Sequence, residues 1–600
     1  MKRFVADFET TTDENDCRVW GYGITEIGNL ANFRCGNNID DFMQFWEDTG
    51  GACKVYFCNL RFDGNFIINW LDSHNFKFVR DKKDAEARTY TSLITKDNVY
   101  YNIEVFFDRD KEKHLANKVI FYDSVKIINS SVENIARDFH LPIRKGSIDY
   151  KKKREVGHHL TVDEIEYIRN DTEIVAMALD EMFKLGIDKS TIGASAMNFY
   201  QKIQPAFAKR FPKLDVDVDD EVRRAYRGGF TCLNPLYKEK EIGNGLVLDC
   251  NSEYPFMMSS RLFPAGKPKI FYGEYKYDVR YPLYIISFSC SFELRDGKIP
   301  TVQIKDSPYY DPMEYLTTTN GDIVKLIMTN VDYELFRENY DVDDIRFTGG
   351  YKFKGFDNLF TDYVNYWNKL KIESKINGNF SLLEASKRML NSIYGKFGVH
   401  SKNILKEPVR MDDGLVHFEN FKKANRRISY TPVALFTTSY GRDYLIRTIM
   451  KIREWGFRKY GKDVWVYSDT DSMSILLNDE SDIDEIKQII DIHKYKLGSW
   501  KIESRYKRAK YLRGKTYIQE EEDGKLNVVI AGFPKNLAPL LNFENFKRGF
   551  TTKGLTLTQL VEMAKKNGAT DEQIAKIDKN LKYKYVKGGV ILEETSFTLK

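Results

Sequence analysis

The sequence predicts a protein of mixed α/β and α+β class with several domains, on three observations. Its 600 residues exceed what one hydrophobic core organises, so the chain should divide into about three to five structural units. Residues 1–190 alternate strand-like runs (KRFVADFE, CKVYFC, KVIFYDS) with helical ones, which is an α/β pattern. Strand-rich sequence with turn signals then fills roughly 240–350, and a long helical stretch covers about 357–397.

The bulk composition narrows the class. With 42% hydrophobic and 30% charged residues the chain reads as a folded protein, and no apolar run is long enough to span a bilayer. MKRFVADFET enters a strand pattern at once, so no signal peptide is expected. Seven scattered cysteines argue against a disulfide framework. Cys53 and Cys58 lack a partner pair at zinc-site spacing. A reducing cytoplasm and no membrane partner are expected. The net charge of +5 says little, but KIESRYKRAKYLRGKTY (501–517) interleaves Lys and Arg with Tyr. That suits phosphate contacts and stacking on bases or sugars, although a solvated basic face would explain it as well.

Each element has its own signal. TVDEIEYIRNDTEIVAMALDEMF opens with a capping box, Thr161 and Glu164, and continues as an amphipathic helix. YRGGF (226–230) marks a tight or flexible backbone passage. The helical stretch ends near Gly395 and Gly398, residues 399–421 read as a hairpin, and VWVYSDTDSMSILL reads as strands around a turn. TLTQLVEMAKKNG and TDEQIAKIDKNL predict a helix pair, with a capping box at Thr570 and Gln573.

Two carboxylate constellations stand out. GLVLD (245–249) is a short buried strand ending on Asp249, and the turn of SDTDS carries Asp469 and Asp471. Side chains two apart in extended chain point the same way, so Asp469 and Asp471 should converge. If the strands ending at Asp249 and Tyr467 are neighbours, the carboxylates surround one volume suited to Mg²⁺. Asp is common in turns, so this motif alone carries little weight. In KRMLNSIYG, Lys387, Asn391 and Tyr394 share one helix face while Leu383, Leu390, Ile393 and Phe397 form an apolar stripe. A lysine on such a face suits a triphosphate. The second set is N-terminal. Asp7 and Glu9 share a strand face, Asp63 lies in NLRFD beside Asn59, and Tyr167 and Asp171 are one helical turn apart. Four carboxylates and a tyrosine suit two metals and phosphodiester hydrolysis.

These motifs together resemble family B DNA polymerases, specifically the small protein-primed polymerases of bacteriophages, over nearly the whole chain. DFET (7–10), NLRFD (59–63) and YIRND (167–171) resemble the three exonuclease motifs. DCNSEYP (249–255), KRMLNSIYG (387–395), YSDTDS (467–472) and KTY (515–517) resemble the polymerase motifs in the family's order. YRGGF resembles the segment joining the two functions, and TSYGR (438–442) a primer- or template-contacting motif. The resemblance implies an RNase H-like 3′–5′ exonuclease domain (1–190) joined to a right hand. The hand would comprise palm (191–260 and 422–545), fingers (357–398) and thumb (546–600). Two insertions are expected, 261–356 contacting a priming protein and the hairpin 399–421 supporting strand displacement.

It also implies residue roles. Asp249 and Asp471, with the Cys250 backbone carbonyl, are expected to hold the polymerase metals, with Asp469 in support. Tyr254 would lie beneath the sugar. Lys387 and Lys371 would hold the triphosphate beside Asn391 and Tyr394, with Lys375 competing for the Lys371 role. Lys515 and Tyr517 would steady the primer end. Asn59, Tyr226, Gly228, Gly229, Thr438 and Arg442 would contact DNA. Asp7, Glu9, Asp63 and Asp171 would bind the exonuclease metals, with Tyr167 and Lys145 acting on water and phosphate. The cofactor would be Mg²⁺, two ions per site and replaceable by Mn²⁺. The expected partners of this monomer are primer–template and single-stranded DNA, dNTPs and a terminal priming protein. Glu253 departs from the family pattern, which has Leu there, and is the one feature that would favour a nuclease with a non-catalytic DNA-holding half. A non-catalytic replication or packaging protein would need neither carboxylate set.

Overall fold

The computed structural model describes residues 1–600 apart from 111–114, 150–151, 305–308, 310, 312–313, 401, 425–428, 578–579 and 600. The first unit is an eight-stranded sheet in the order 29–36, 19–26, 2–10, 52–57, 115–123, 100–110, 89–94, 77–78. Its centre is parallel, Lys2–Thr10 against Ala52–Phe57 and the latter against Leu115–Asp123. Helix Val162–Lys184 starts at the expected capping box and lies against the outer antiparallel strands. A Cβ at Gly23 would overlap Ile168, so the glycine lets helix and sheet close together. Thr25 and Thr172 share a buried hydroxyl bond of 2.7 Å across that contact.

The second sheet is antiparallel, in the order 526–530, 516–521, 500–513, 245–250, 472–476, 465–469, 231–233. One expectation is corrected here: the strand through Tyr467 is not next to Gly245–Cys250, because Ser472–Leu476 lies between them. The long helix Pro432–Tyr460 covers one face, packing Leu445, Ile446, Ile449 and Ile452 onto Leu246, Leu248, Trp465 and Ile475. The helical stretch after 357 is two helices, Thr361–Ile376 and Phe380–Phe397. Gly378 at φ +67° makes the break, and the Asn379 side chain caps the second helix.

A four-stranded antiparallel sheet spans Phe263–Phe356, with helix Asn330–Asn339 on it. One buried clasp joins it to the long helix. The Arg442 guanidinium pairs with both Asp332 oxygens at 2.7–3.0 Å and also donates to the carbonyls of Arg227 and Gly228. The 399–421 segment is a hairpin that continues three residues further than expected, Lys402–Arg410 with Val416–Ala424. Ion pairs Arg80–Glu407 and Arg410–Asp72 tie it to the first unit.

Both expected C-terminal helices and their capping boxes are present, Leu557–Lys566 and Asp571–Ala575. The second is shorter than the sequence predicted, and an unanticipated hairpin follows, Asn580–Val586 with Gly589–Thr595. Its signal was the alternation in LKYKYV and the Gly-Gly turn. The hairpin docks on the first unit, where Val586 and Val590 enter the same core as Phe66.

The clasp has a measurable cost. Asp332→Ala leaves a buried guanidinium without its carboxylate, and is expected to destabilise the protein by about 3–5 kcal/mol. Chemical unfolding would read this, and a midpoint equal to that of the unmodified protein would show the clasp to be dispensable.

Candidate active sites

In the second sheet Asp249 stands in register opposite Ser472 on one side and Lys501 on the other. The Cys250 N–H donates to the Asp471 carbonyl at 2.8 Å, which locks the turn onto the strand end. Asp249 and Asp471 border one cavity of about 500 Å³. Burial, and then the Asp249 charge, push the Asp471 carboxyl up to about 6. Lys501 offsets part of that charge, its Nζ 2.8 Å from Asp249. The Cys250 thiol points inward to the Gly498 carbonyl, leaving only its backbone for the site.

Asp469 does not border the cavity that Asp471 lines, although its charge still reaches Asp471. Thr470 adopts φ +61°, which breaks the two-residue alternation. The Asp469 carboxylate instead accepts from Lys515 Nζ at 2.9 Å, Thr231 at 3.0 Å and Tyr467 at 3.3 Å. It therefore fixes the turn and the neighbouring lysine. Gly229 meets the same turn so closely that a Cβ would lie 2.7 Å from the Thr470 side chain, while Gly228 has open space. Tyr517 packs its ring against Tyr467 and Tyr511.

Across the cavity the helix pair presents Lys371, Lys375, Lys387, Asn391 and Tyr394. Lys371 reaches the loop after Asp249, with Nζ 3.0 Å from Ser252 Oγ. Burial and then the other lysines bring its ammonium down to about 8. Lys375 also borders the cavity but sits over the Tyr495 ring at 4.8 Å. Lys387 is bonded to Glu384 at 2.7 Å. Tyr254 and Tyr394 meet edge to face, ring centres 4.6 Å apart. Tyr226 is half-buried with its hydroxyl beside Gly398.

Two expected DNA contacts are corrected. Thr438 is buried and donates to the Leu435 carbonyl of its own helix at 3.0 Å. Arg442 is buried in the Asp332 clasp. Both side chains lie beneath the surface, with Arg442 held by Asp332 and by the Arg227 and Gly228 carbonyls.

The N-terminal set forms a second cavity of about 670 Å³. Oxygens of Asp7, Glu9 and Asp171 lie within 4.8 Å of one another. Burial and then Asp171 push the Asp7 carboxyl up to about 7; burial and then Asp7 raise Glu9. Asp63 lies outside that mutually close set. It accepts the Phe8 N–H at 3.3 Å, and its carboxyl is raised by burial and by Asp7. Lys145 Nζ is 2.6 Å from Asp171, with the Tyr167 ring 5.6 Å away. Asn59 stands at the start of helix Leu60–Ser73 in left-handed conformation, φ 73°. The 580–595 hairpin supplies another wall, including Lys584 and Leu592.

Lys501 lies in the basic run, but only the strand register reveals its partner Asp249. The hairpin wall is equally hidden in the sequence, since nothing local in LKYKYV names a partner more than 500 residues away (524 for Asn59 and Tyr583).

Comparison with known proteins fits this geometry. The family model for DNA polymerase type B, organellar and viral, matches residues 50–163 and 151–485. The chain belongs to that family. The DNA polymerase of Bacillus phage M2 is 39% identical over all of both chains, and that of Bacillus phage phi29 is 39% identical over 92% of this chain and 95% of its own. The structure of phi29 DNA polymerase with primer–template DNA and incoming nucleotide superposes with a TM-score of 0.88, at 36% identity and full coverage of both chains. This chain is thus a DNA-directed DNA polymerase, an α/β and α+β multidomain protein, and its family depends on divalent metal. The residues fit such ions: Asp7, Glu9 and Asp171 bring oxygens within 4.8 Å of one another, burial and then a neighbouring carboxylate raise Asp7 and Asp471, and one lysine stands at Asp171 and one at Asp249. No helix among the described residues is long and apolar enough to cross a membrane.

In this polymerase Glu253 is 2% exposed, and neither carboxylate oxygen has a hydrogen-bond partner among the described residues. Gly441 makes room for it, since a Cβ there would lie 2.9 Å from Glu253 Oε2. Burial, then Asp471 and Asp249, raise its carboxyl well above the ordinary value. A carboxyl raised in the folded state contributes fully below its unfolded value, and that contribution is lost as pH rises through the folded value. Glu253→Leu should therefore stabilise the metal-free protein by about 1–3 kcal/mol at neutral pH. The gain should widen as pH rises above the ordinary glutamate range. Thermal unfolding in EDTA measures both; a pH-independent difference would count against the buried acid as its source.

Proposed function

We propose that this polymerase is a replicative, protein-primed and strand-displacing enzyme that proofreads with its own 3′–5′ exonuclease. The supporting observation is the presence of two separate carboxylate sites, each bordering its own cavity. Asp249, Asp471 and the Cys250 carbonyl would hold two Mg²⁺, replaceable by Mn²⁺, and these ions would supply Lewis-acid chemistry for the primer 3′-hydroxyl and the pyrophosphate. Lys371, Lys387 and Asn391 grip the triphosphate, Tyr394 packs on the incoming nucleotide, and Tyr254 lies beneath the sugar and excludes a 2′-hydroxyl. Lys515, oriented by Asp469, and Tyr517 steady the primer end. Tyr226, Gly228 and Gly229 follow the template strand, a path that Thr438 and Arg442 support from below.

In the exonuclease, Asp7, Glu9, Asp63 and Asp171 are the metal ligands. Lys145 and Tyr167 orient water and the scissile phosphate, and Asn59 grips the single strand. The 261–356 insertion is the surface for a terminal priming protein, and the hairpin from 399 closes around DNA. Residues 191–260 and 422–545 act as palm, 357–398 as fingers and 546–600 as thumb. The enzyme acts as a monomer in the host cytoplasm on primer–template and single-stranded DNA with dNTPs.

Asp249→Ala or Asp471→Ala should reduce synthesis more than about 10³-fold while leaving degradation intact, and Asp7→Ala with Asp63→Ala should do the converse. Loss of both activities in either folded variant would refute two separate sites. A 5′-labelled primer on a template with a downstream blocking strand reads both activities. Extension through the blocker with dNTPs, and 3′ shortening without them, is the expected pair of results. Shortening under both conditions would leave only a nuclease.

A further inference from the structure

The 580–595 hairpin is held too firmly against the nuclease unit to be a loose neighbour. The Cys17 N–H donates to the Lys587 carbonyl at 2.9 Å, and the Lys587 N–H to the Asn15 carbonyl at 3.2 Å. Gly588, at φ +84°, permits this approach, because a Cβ there would overlap the Cys17 carbonyl. Val586 and Val590 are buried in the nuclease core. The first strand of the hairpin is therefore fixed relative to helix Leu60–Ser73.

On that strand the Tyr583 hydroxyl accepts a hydrogen bond from Asn59 Nδ2 at 3.2 Å. The Arg61 guanidinium lies 4.0 Å over the Tyr583 ring and holds it in place. Asn59 occupies the N-cap position, yet its side chain makes no capping bond. Its backbone N–H goes to Asp123 at 3.3 Å. A side chain in left-handed backbone costs free energy that neighbouring contacts must offset. Here the amide is spared from the helix end and bonds the tyrosine hydroxyl instead, and the sequence neighbours of the pair, Cys58 and Lys584, border the carboxylate cavity.

We propose that Tyr583 is a positioning residue of the exonuclease, whose hydroxyl holds the Asn59 amide ready for the single strand. The inference rests on the strand-gripping role of Asn59 given above. An exposed amide without this bond samples several rotamers, and a strand end then has to order it on binding. The bond makes that ordering part of the folded protein. It also makes the nuclease grip depend on a hairpin drawn from the far end of the chain.

Tyr583→Phe removes one oxygen and keeps the ring on Arg61 and the buried valines, so the fold is retained. Degradation of a 5′-labelled single strand with Mg²⁺ and no dNTPs is measured for wild type, Tyr583→Phe, Asn59→Ala and the double variant. The expected result is a KM raised about three- to tenfold by Tyr583→Phe with kcat unchanged. The double variant should be no worse than Asn59→Ala alone, because both remove one contact. A KM that Tyr583→Phe leaves unchanged or lowers, while Asn59→Ala raises it, overturns the proposal and spares the role of Asn59. Additive effects in the double variant, or a loss in kcat rather than KM, overturn it too. If Asn59→Ala leaves KM unmoved, the strand-gripping role fails and the proposal with it.

Discussion

Gly245–Cys250 is hydrogen-bonded on both edges, and the bonds that set its register also decide where charge is placed. Asp249 falls opposite Ser472 and Lys501, while Leu246 and Leu248 turn into the core beneath the long helix. A slip of one residue would bury the aspartate and expose the leucines, so apolar burial enforces the position of the carboxylate. The Cys250–Asp471 backbone bond carries the same register into the turn. Through Phe230, whose carbonyl accepts from Thr470 at 2.8 Å, the YRGGF passage joins the frame. Arg442 then extends it to Asp332 in the separate four-stranded sheet.

Burial is the largest influence on the carboxyls that are raised at the two sites, Asp7, Asp63, Glu253 and Asp471, with neighbouring carboxylates second. Lys145 and Lys501 each pair with one carboxylate, which leaves negative charge that only further cations can balance. The Asp332–Arg442 pair shows the contrast. It is as deeply set, but each charge has its counterpart and its hydrogen bonds, and the Asp332 carboxyl lies below its usual range. One site is built to stay charged and closed, the others to receive something.

Much of this was legible from local pattern. Strand alternation ending on Asp249, one helical turn between Tyr167 and Asp171, and the shared face of Lys387, Asn391 and Tyr394 depend on nearest-neighbour geometry, and those side chains border the cavities as expected. What escaped depends on backbone exceptions and distant partners. Asp469 was misdirected because Thr470 adopts a left-handed conformation that β-branched residues rarely take. Arg442, expected to contact DNA, has its carboxylate partner Asp332 at a distance of 110 residues in the sequence. Nothing local in the sequence shows that Lys371 reaches Ser252 while Lys375 lies over the Tyr495 ring. The final hairpin was hidden because the alternation in LKYKYV is short and because the surface that buries it lies more than 450 residues away in the sequence, at Phe66 and its neighbours.

That last arrangement bears on how the chain is made. Val586 and Val590 pack in a core whose other members come almost wholly from the first 121 residues. The N-terminal sheet can form early on the ribosome, but the place kept for these valines stays open until nearly all of the remaining chain has been translated. A contact spanning 524 residues closes late and slowly, because chain entropy must be overcome before it is rewarded. The N-terminal sheet is therefore sealed only after the 580–595 hairpin has been made, and a nascent chain that stops short of that hairpin lacks both the apolar seal and Tyr583.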